Sequence, residues 1–353
     1  MTATHISEKA QKFQQQLILT AKGSHGAKDM DRNSAKEALH FLLSGEANEI
    51  QMAAFITAMR FKGAEIDELL GFTDAIMENS IQINPKVDNL VSCGAPYDGR
   101  KKSLHLSCAA AIIAVAAGVQ IIIHSSTGLP PKNGVTAGDV LESLGIPAYL
   151  KPDEVEARIE HTGFGFLHAS RFVPALEKFR RVRETLIYRN FIHTCETINN
   201  PANAKRVIIG AAHVPFLQKL TSVVRIRGAE HIMAVKGLDG SDEVPLKPVK
   251  AVEFKEGKTA VIELSPASYN LPEQTDAAPQ TAATTASIIL DTLHNKREES
   301  KNAIVYNAGI RIYVGGKANS ISEGVDQARE ILGSGKALKT LENIKSYQWN
   351  PPS

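Results

Sequence analysis

The chain has only three cysteines in 353 residues, Cys93, Cys108 and Cys195. An odd, widely spaced set of this kind excludes a disulfide framework and points to a reducing compartment, so the cytoplasm is expected. A charge excess of one sign is also missing: 40 Lys and Arg against 38 Asp and Glu leave a formal charge of +2. Whole-surface attraction to nucleic acid or to an anionic membrane is thereby disfavoured, although a local basic patch remains compatible with it. Long apolar runs are absent as well. The longest, Ala109 to Ile123, contains Gly118 and Gln120 and falls short of the roughly 20 residues that a bilayer-spanning helix needs. It reads as an Ala-rich helix, a Gly118 stop and a short buried strand, Val119 to Ile123. Met1 to Gln16 holds no apolar stretch of the kind an export signal needs. What is present, 43% hydrophobic and 22% charged residues, matches an ordinary soluble globular chain with length for about two domains.

From Ser34 to Ser80 apolar residues recur at three and four: Ala38, Leu39, Leu42, Leu43, then Met52, Ala53, Ile56, Met59, then Ile66, Leu69, Leu70, Ala75, Ile76. The spacing predicts three short helices separated at Gly45 and Gly63, with Asn48 and Asp67 as start-type residues. Ile83-Asn84-Pro85 breaks the pattern, since proline disfavours helix in the residue before it. This puts the boundary between a helical domain, 1–84, and a larger domain, 85–353. Beyond it, short β-branched runs at Leu90 to Ser92, Val119 to Ile123, Arg206 to Ile209 and His231 to Val235 alternate with helical stretches. Such alternation predicts a mainly parallel sheet flanked by helices, an α/β class. Helical spacing continues at Val173 to Ile187, Thr281 to His294, Asn302 to Val314 and Ser322 to Leu332, while Pro266 to Gln280, with Pro266, Pro272 and Pro279, reads as a surface excursion.

In open α/β sheets ligands bind beyond the carboxyl ends of the strands, which singles out three segments. After the first strand, Cys93-Gly94-Ala95-Pro96-Tyr97-Asp98-Gly99-Arg100-Lys101-Lys102-Ser103 precedes a helix expected near Leu104. Glycines let backbone approach an anion and a helix start favours one, so Gly94, Asp98, Gly99, Arg100, Lys101, Lys102 and His105 are candidates for phosphate binding, with a solvated basic turn as the plainer alternative. The second segment, from His124 to Asp139, offers Ser125, Ser126, Thr127, Lys132 and Thr136, although Pro130 and Pro131 have no N–H to donate. In the third, Lys236-Gly237-Leu238-Asp239-Gly240-Ser241-Asp242-Glu243, three carboxylates in a glycine-rich loop suit magnesium or serve an ordinary turn. The cations Lys178, Arg180, Arg181, Arg183 and Arg189 cannot share one helix face, because successive residues point about 100° apart. Zinc is not expected at Cys93, Cys108, His105, His193 or Cys195, which form no C-x-x-C pair.

Taken in order, these segments resemble the anthranilate phosphoribosyltransferase family and its wider glycosyltransferase and nucleoside phosphorylase relatives. The resemblance runs from about Lys28 to Tyr347. It includes Asp139-Val140-Leu141-Glu142-Ser143-Leu144-Gly145, the Asn200-Pro201-Ala202 turn, Glu323-Gly324 and Ser334-Gly335-Lys336-Ala337. It implies a small helical domain, joined by a helix from the 173–195 region, and a larger α/β domain. It also implies phosphoribosyl pyrophosphate and magnesium in the cleft between them, a place beside tryptophan biosynthesis, and a homodimer formed through the helical domain.

By the same resemblance Asp242 and Glu243 fall on the paired metal carboxylates, Ser107 on the magnesium serine and Arg183 on the arginine contacting the aromatic acceptor. Three donor motifs depart from the family. Gly94-Ala95-Pro96-Tyr97-Asp98-Gly99 stands for Gly-Thr-Gly-Gly-Asp, and His105-Leu106-Ser107-Cys108 stands for Asn-x-Ser-Thr. His124-Ser125-Ser126-Thr127-Gly128 replaces Lys-His-Gly-Asn-Arg. At roughly 1.5–3 kcal/mol per charge-assisted hydrogen bond, three losses weaken a pyrophosphate site by about 5–9 kcal/mol unless Arg100, Lys101, Lys102 and Lys132 compensate. The expectation is a diverged, magnesium-assisted pentosyl transferase acting on a phosphorylated sugar, with anthranilate transfer itself compromised. The alternative is a non-catalytic paralogue that binds nucleic acid through Tyr97-Asp98-Gly99-Arg100-Lys101-Lys102.

Overall fold

Helix α1 (Glu8–Thr20) opens the chain, capped by Ser7, whose Oγ accepts from the Ala10 N–H. Its inward face carries only a thin apolar stripe, Ala10, Phe13 and Leu17, and its fully buried residues are Phe13, Gln16 and Thr20, two of them polar. The three expected helices follow as α2 (Arg32–Ser44), α3 (Glu49–Lys62) and α4 (Ile66–Glu78). Asp31 and Asn48 cap the first two, and α2 stops at Gly45, where φ is +89°. The cap of α4 is Glu65, two residues ahead of the expected Asp67. The computed structural model describes residues 7–23, 25–278 and 280–349. The expectations for Met1 to Ile6 and for Pro279 lie outside the described residues.

Beyond the Pro85 break come β1 (Val91–Gly94), α5 (Ser107–Ala116), β2 (Ile121–Ser125), α6 (Ala137–Ser143), α7 (Pro152–Thr162) and β3 (Phe164–His168). Next are α8 (Ala169–Phe172), α9 (Arg180–Leu186), α10 (Phe191–Ile198), β4 (Arg206–Ala211), α11 (Val214–Ile226) and β5 (His231–Lys236). The hairpin β6 (Val249–Lys255) and β7 (Lys258–Leu264) precedes α12 (Ala282–Leu293), α13 (Lys301–Val314), α14 (Ile321–Gly333) and α15 (Lys336–Ser346). The sheet runs β3-β2-β1-β4-β5-β6-β7, parallel through β5 and antiparallel at β6 and β7. The chain thus has the expected class: a small helical domain and a larger α/β domain with a mainly parallel sheet.

Period-two alternation divides the core. Ile121, Ile123, Ile208, Met233 and Val235 face the helices α5 and α12 to α15. Ile122, Val207, Ile209, Ile232 and Ala234 face the other way, into a core continuous with the helical domain. There Phe191 of α10 packs on Phe72 in a tilted arrangement with ring centroids 4.3 Å apart and meets Phe55 edge-on at 6.0 Å, tying later chain to the opening helices. On the first face Gly309 and Gly324 let α13 and α14 touch, since a Cβ on Gly324 would fall 2.4 Å from the Gly309 carbonyl oxygen.

Five elements differ from expectation. The single helix over Val173 to Ile187 is a 3-10 turn, Pro174–Phe179, followed by the short α9, because Val173 is non-helical (φ −130°, ψ 66°) and Ile187 closes in the left-handed region. Helix α5 starts at Ser107 rather than near Leu104. Strands β3, β6 and β7 were not anticipated, since Gly163 and Gly165 interrupt the first and lysines and glutamates alternate through the hairpin. Among the described residues no helix is long and apolar enough to cross a membrane.

Candidate functional site at the carboxyl ends of the strands

The three expected segments meet at one end of the sheet, where β1, β2 and β5 finish. Gly94 ends β1 against α10: a Cβ there would lie 2.1 Å from the Thr197 carbonyl oxygen. Gly99 has φ +70° and touches Gly134, so only glycine suits that crossing. At this point the first and second loops join by a two-residue antiparallel bridge between Arg100 and Val135, with N–H to O distances of 2.8 and 3.0 Å. Gly134 N–H donates to the Asp98 carbonyl and Gly99 N–H to that of Pro96. Several backbone donors that a phosphate cradle would turn outward are therefore spent joining the loops.

Side chains divide inside from outside. Arg100 is buried and donates from Nη1 to Glu243 Oε2 at 2.5 Å and from Nε and Nη2 to Ser103 Oγ. Lys101 and Lys102 remain exposed. The basic cluster read from the sequence is thus split, which leaves two outward cations rather than three for a polyanion. Lys132 Nζ donates to the carbonyls of Gly99 (2.9 Å) and Asp239 (3.0 Å) and lies 3.1 Å from the buried Asp98 carboxylate. Burial lowers its pKa, against the pull of Asp98. Arg189, 40% exposed, binds the other Asp98 oxygen at 2.7 Å.

The remaining candidates are mostly engaged. Thr136 caps α6, its Oγ1 accepting from the Asp139 N–H and donating to Asp139 Oδ2. Thr127 Oγ1 accepts from Arg180 Nη2 at 2.9 Å, Ser125 Oγ reaches the Pro96 carbonyl at 3.4 Å, and Ser126 is buried. Ser107 Oγ lies 2.9 Å from His105 Nδ1. Burial first, then the Arg100, Arg311 and Lys132 charges, hold His105 well below the usual imidazole range, so it is neutral. Its Nε2 is buried without a hydrogen-bond partner. Arg183 makes a bidentate pair with Glu196, 2.6 and 2.8 Å, with both side chains buried. Burial pushes the Glu196 carboxyl up, and Arg183 opposes that shift.

The metal corner departs from expectation. Asp242 Oδ2 pairs with Arg311 of α13, and Glu243 Oε2 with Arg100 and with the Leu106 N–H at 3.0 Å. Asp242 Oδ1 is the one buried carboxylate oxygen of the pair recorded without a hydrogen-bond partner. Magnesium requires an octahedron of oxygen ligands at about 2.0–2.1 Å. Here Ser107 is bonded to His105, and each carboxylate already holds a guanidinium. Among the described residues no group of three or more His, Cys, Asp or Glu is arranged to hold a metal. As folded, Ser107 Oγ, Asp242 Oδ2 and Glu243 Oε2 are committed to protein partners, and Asp242 Oδ1 is left without one.

Arg311 and Glu196, which organise these pairs, were not singled out from the sequence. Arg311 carried a usable sign, a lone charge inside the apolar run Ile304 to Val314, because a buried charge requires a partner. Glu196 carried none. Asp239 was read only as one of three acidic residues. At φ +53° it turns its carboxylate to the Lys102 N–H (3.0 Å) and Ser103 Oγ (2.9 Å), pinning the third loop to the first.

Residues 86–338 match the model of the glycosyl transferase family a/b domain, and residues 16–80 that of its helical bundle domain. An anthranilate phosphoribosyltransferase from Methanocorpusculum labreanum is 33% identical over 322 residues, covering 90% of this chain and 93% of that protein. One from Geobacillus is 29% identical, covering 90% and 94%. The crystal structure of anthranilate phosphoribosyltransferase from Thermus thermophilus superposes with TM-score 0.82 at 25% identity, covering 95% of this chain and 98% of that one. The Saccharomyces cerevisiae protein in complex with PRPP and Mg shares the fold at TM-score 0.79 and 21% identity, covering 97% and 98%.

Proposed function

This chain belongs to the glycosyl transferase family of the anthranilate phosphoribosyltransferases, an enzyme family of the phosphoribosyl-transfer class, and from that premise we propose that it takes a phosphorylated sugar at the carboxyl ends of β1, β2 and β5. What carries the proposal is the convergence of Lys132 and Arg189, from separate segments, on the buried carboxylate of Asp98. An incoming phosphate offers both cations a second anion, and Lys132, whose burial disfavours its charge, gains most. Lys101 and Lys102, exposed at the loop surface, complete the donor side.

Chemistry at such a site is positioning plus charge stabilisation of an oxocarbenium-like sugar as its anionic leaving group departs, without a covalent nucleophile. We propose further that anthranilate is a poor acceptor. Both arms of the Arg183 fork are held by Glu196, and freeing them leaves a buried carboxylate unpaired.

We also propose a homodimer. Ile18, Ile50 and Phe61 of α1 and α3 are 61%, 81% and 85% exposed, beside a groove of about 790 Å³ lined by Ala21, Ala53, Ala54 and Thr57. A second copy seated there covers an apolar face that monomers rarely leave open. With Cys93, Cys108 and Cys195 all free and buried, the cytoplasm is the proposed compartment.

Calorimetry with phosphoribosyl pyrophosphate tests the donor. Saturable heat is expected, falling at least tenfold in affinity in Lys132→Ala, and no heat at millimolar ligand overturns the proposal. A steady-state assay with anthranilate is expected to show little turnover, and family-typical turnover overturns the acceptor statement.

A further inference from the structure

We infer that Arg100 and Arg311 are the resident cations of the Asp242–Glu243 corner, so that this chain holds its acidic pair, and any phosphorylated ligand beside it, without a divalent metal. The inference concerns the site proposed above but rests on its own geometry. Each carboxylate has one guanidinium, and all four side chains are sealed: Arg100 and Arg311 are 0% exposed, Asp242 and Glu243 1%. Two negative and two positive charges cancel. A divalent ion added to the closed corner leaves two positive charges without partners in a medium that solvates them poorly.

The corner is also held on every side against rearrangement. Ser241 Oγ accepts from the Glu243 N–H at 3.2 Å, and Asn307 bonds both the N–H and the carbonyl of Val244, at 2.7 and 2.9 Å. Arg311 Nη1 donates to the Asn307 carbonyl one turn back on α13 at 3.0 Å, which fixes its arm. Gly210 and Gly237 press on the loop so closely that a Cβ on either would come within 1.7 Å of the Ser241 carbonyl oxygen. Arg100 is anchored in the same way by the backbone bridge to Val135. Asp242 Oδ2 and Glu243 Oε2 are each committed to an arginine, and an ion reaching the unpartnered Asp242 Oδ1 would sit beside the Arg311 guanidinium. The two arginines come from distant parts of the chain, the β1 loop and α13, yet each meets one member of the acidic pair.

The test is a Mn2+ titration of the intact chain followed by electron paramagnetic resonance. No bound ion is expected at millimolar Mn2+. Arg100→Gln frees Glu243 and is expected to gain Mn2+ binding, with Mg2+ raising its melting temperature but not that of the unaltered chain. Stoichiometric Mn2+ binding by the unaltered chain that disappears in Asp242→Asn overturns the inference, and this arm does not depend on any arginine variant folding. In a second arm, phosphoribosyl pyrophosphate is titrated calorimetrically in EDTA and in Mg2+. Equal affinity in both supports the inference. Heat seen only with Mg2+ overturns it while the donor proposal stands. Heat in neither overturns the donor proposal, and the Mn2+ titration then decides this one.

Discussion

Arg100 and Glu243 lie 143 positions apart in the chain and meet at 2.5 Å, with both side chains closed to solvent. Their contact ties the loop after β1 to the loop after β5, and Glu243 extends it to the start of α5 through the Leu106 N–H. Burial raises the Glu243 carboxyl above the usual range, and Arg100 pulls the other way. The pair is therefore a strut whose two halves depend on each other.

Removing one half is expected to cost more than removing both. Arg100→Met or Glu243→Leu alone strands a buried charge and should lower stability in urea unfolding by about 3–5 kcal/mol. The double variant should recover most of that loss. Additive losses in the double variant would show that the two groups are not coupled.

Gly94 is expected to tolerate no side chain. The Cβ of Gly94→Ala would sit 2.1 Å from the Thr197 carbonyl oxygen, so α10 must shift, at a cost of roughly 1–3 kcal/mol or more. Gly333→Ala, with nothing within 4 Å of the new carbon, should be neutral or slightly stabilising. Chemical denaturation of the two variants side by side checks the contrast.

Stability should fall with acid below neutrality. Burial lowers His124 and His168 to about 4, while an unfolded histidine titrates near 6.5. Between those values the unfolded chain binds more protons, so stability rises with pH through that window and is lost as pH falls through it. Each histidine contributes a slope of at most about 1.4 kcal/mol per pH unit. His124→Gln should reduce the measured slope by about that amount between pH 4 and 6.5. An unchanged slope would mean that His124 is charged in the folded chain.

The exposed face of α1 and α3 should direct assembly. Analytical ultracentrifugation of the unaltered chain is expected to give a dimer, and Ile50→Glu with Phe61→Glu a folded monomer, since a charge on each of two facing apolar patches is desolvated on contact. A monomer at micromolar concentration before any substitution would remove the proposed interface.

The class and the order of α2 to α4, β1, β2, β4 and β5 were legible because they rest on local periodicity. The three-and-four spacing of Ala38 to Leu43 and the Ile121 to Ile123 run each report burial directly. Helix α1 escaped because Gln16 and Thr20, not apolar residues, fill two of its three buried positions. The helix expected over Val173 to Ile187 became a 3-10 turn and the short α9 because Val173 lies outside helical φ/ψ and Ile187 turns left-handed, backbone choices that spacing alone does not reveal. The Gly94, His124 and Gly237 segments, singled out as places to look for chemistry, do come together, since strand ends in a parallel sheet share one edge. What each charged group does there was not readable, because Arg100, Arg183 and Lys132 find partners only through tertiary contacts with Glu243, Glu196 and Asp98.

By itself the sequence determined the helical opening, the core strands β1, β2, β4 and β5, and which three loops follow their carboxyl ends. All of these follow from hydrophobic period and from glycine and proline placement, which act within a few residues. Only the tertiary structure decided whether a cation faces a ligand or a carboxylate of its own chain. That choice turns on burial and on a few tenths of a nanometre between residues more than a hundred positions apart, where a low dielectric makes one ion pair dominate and no local pattern records it.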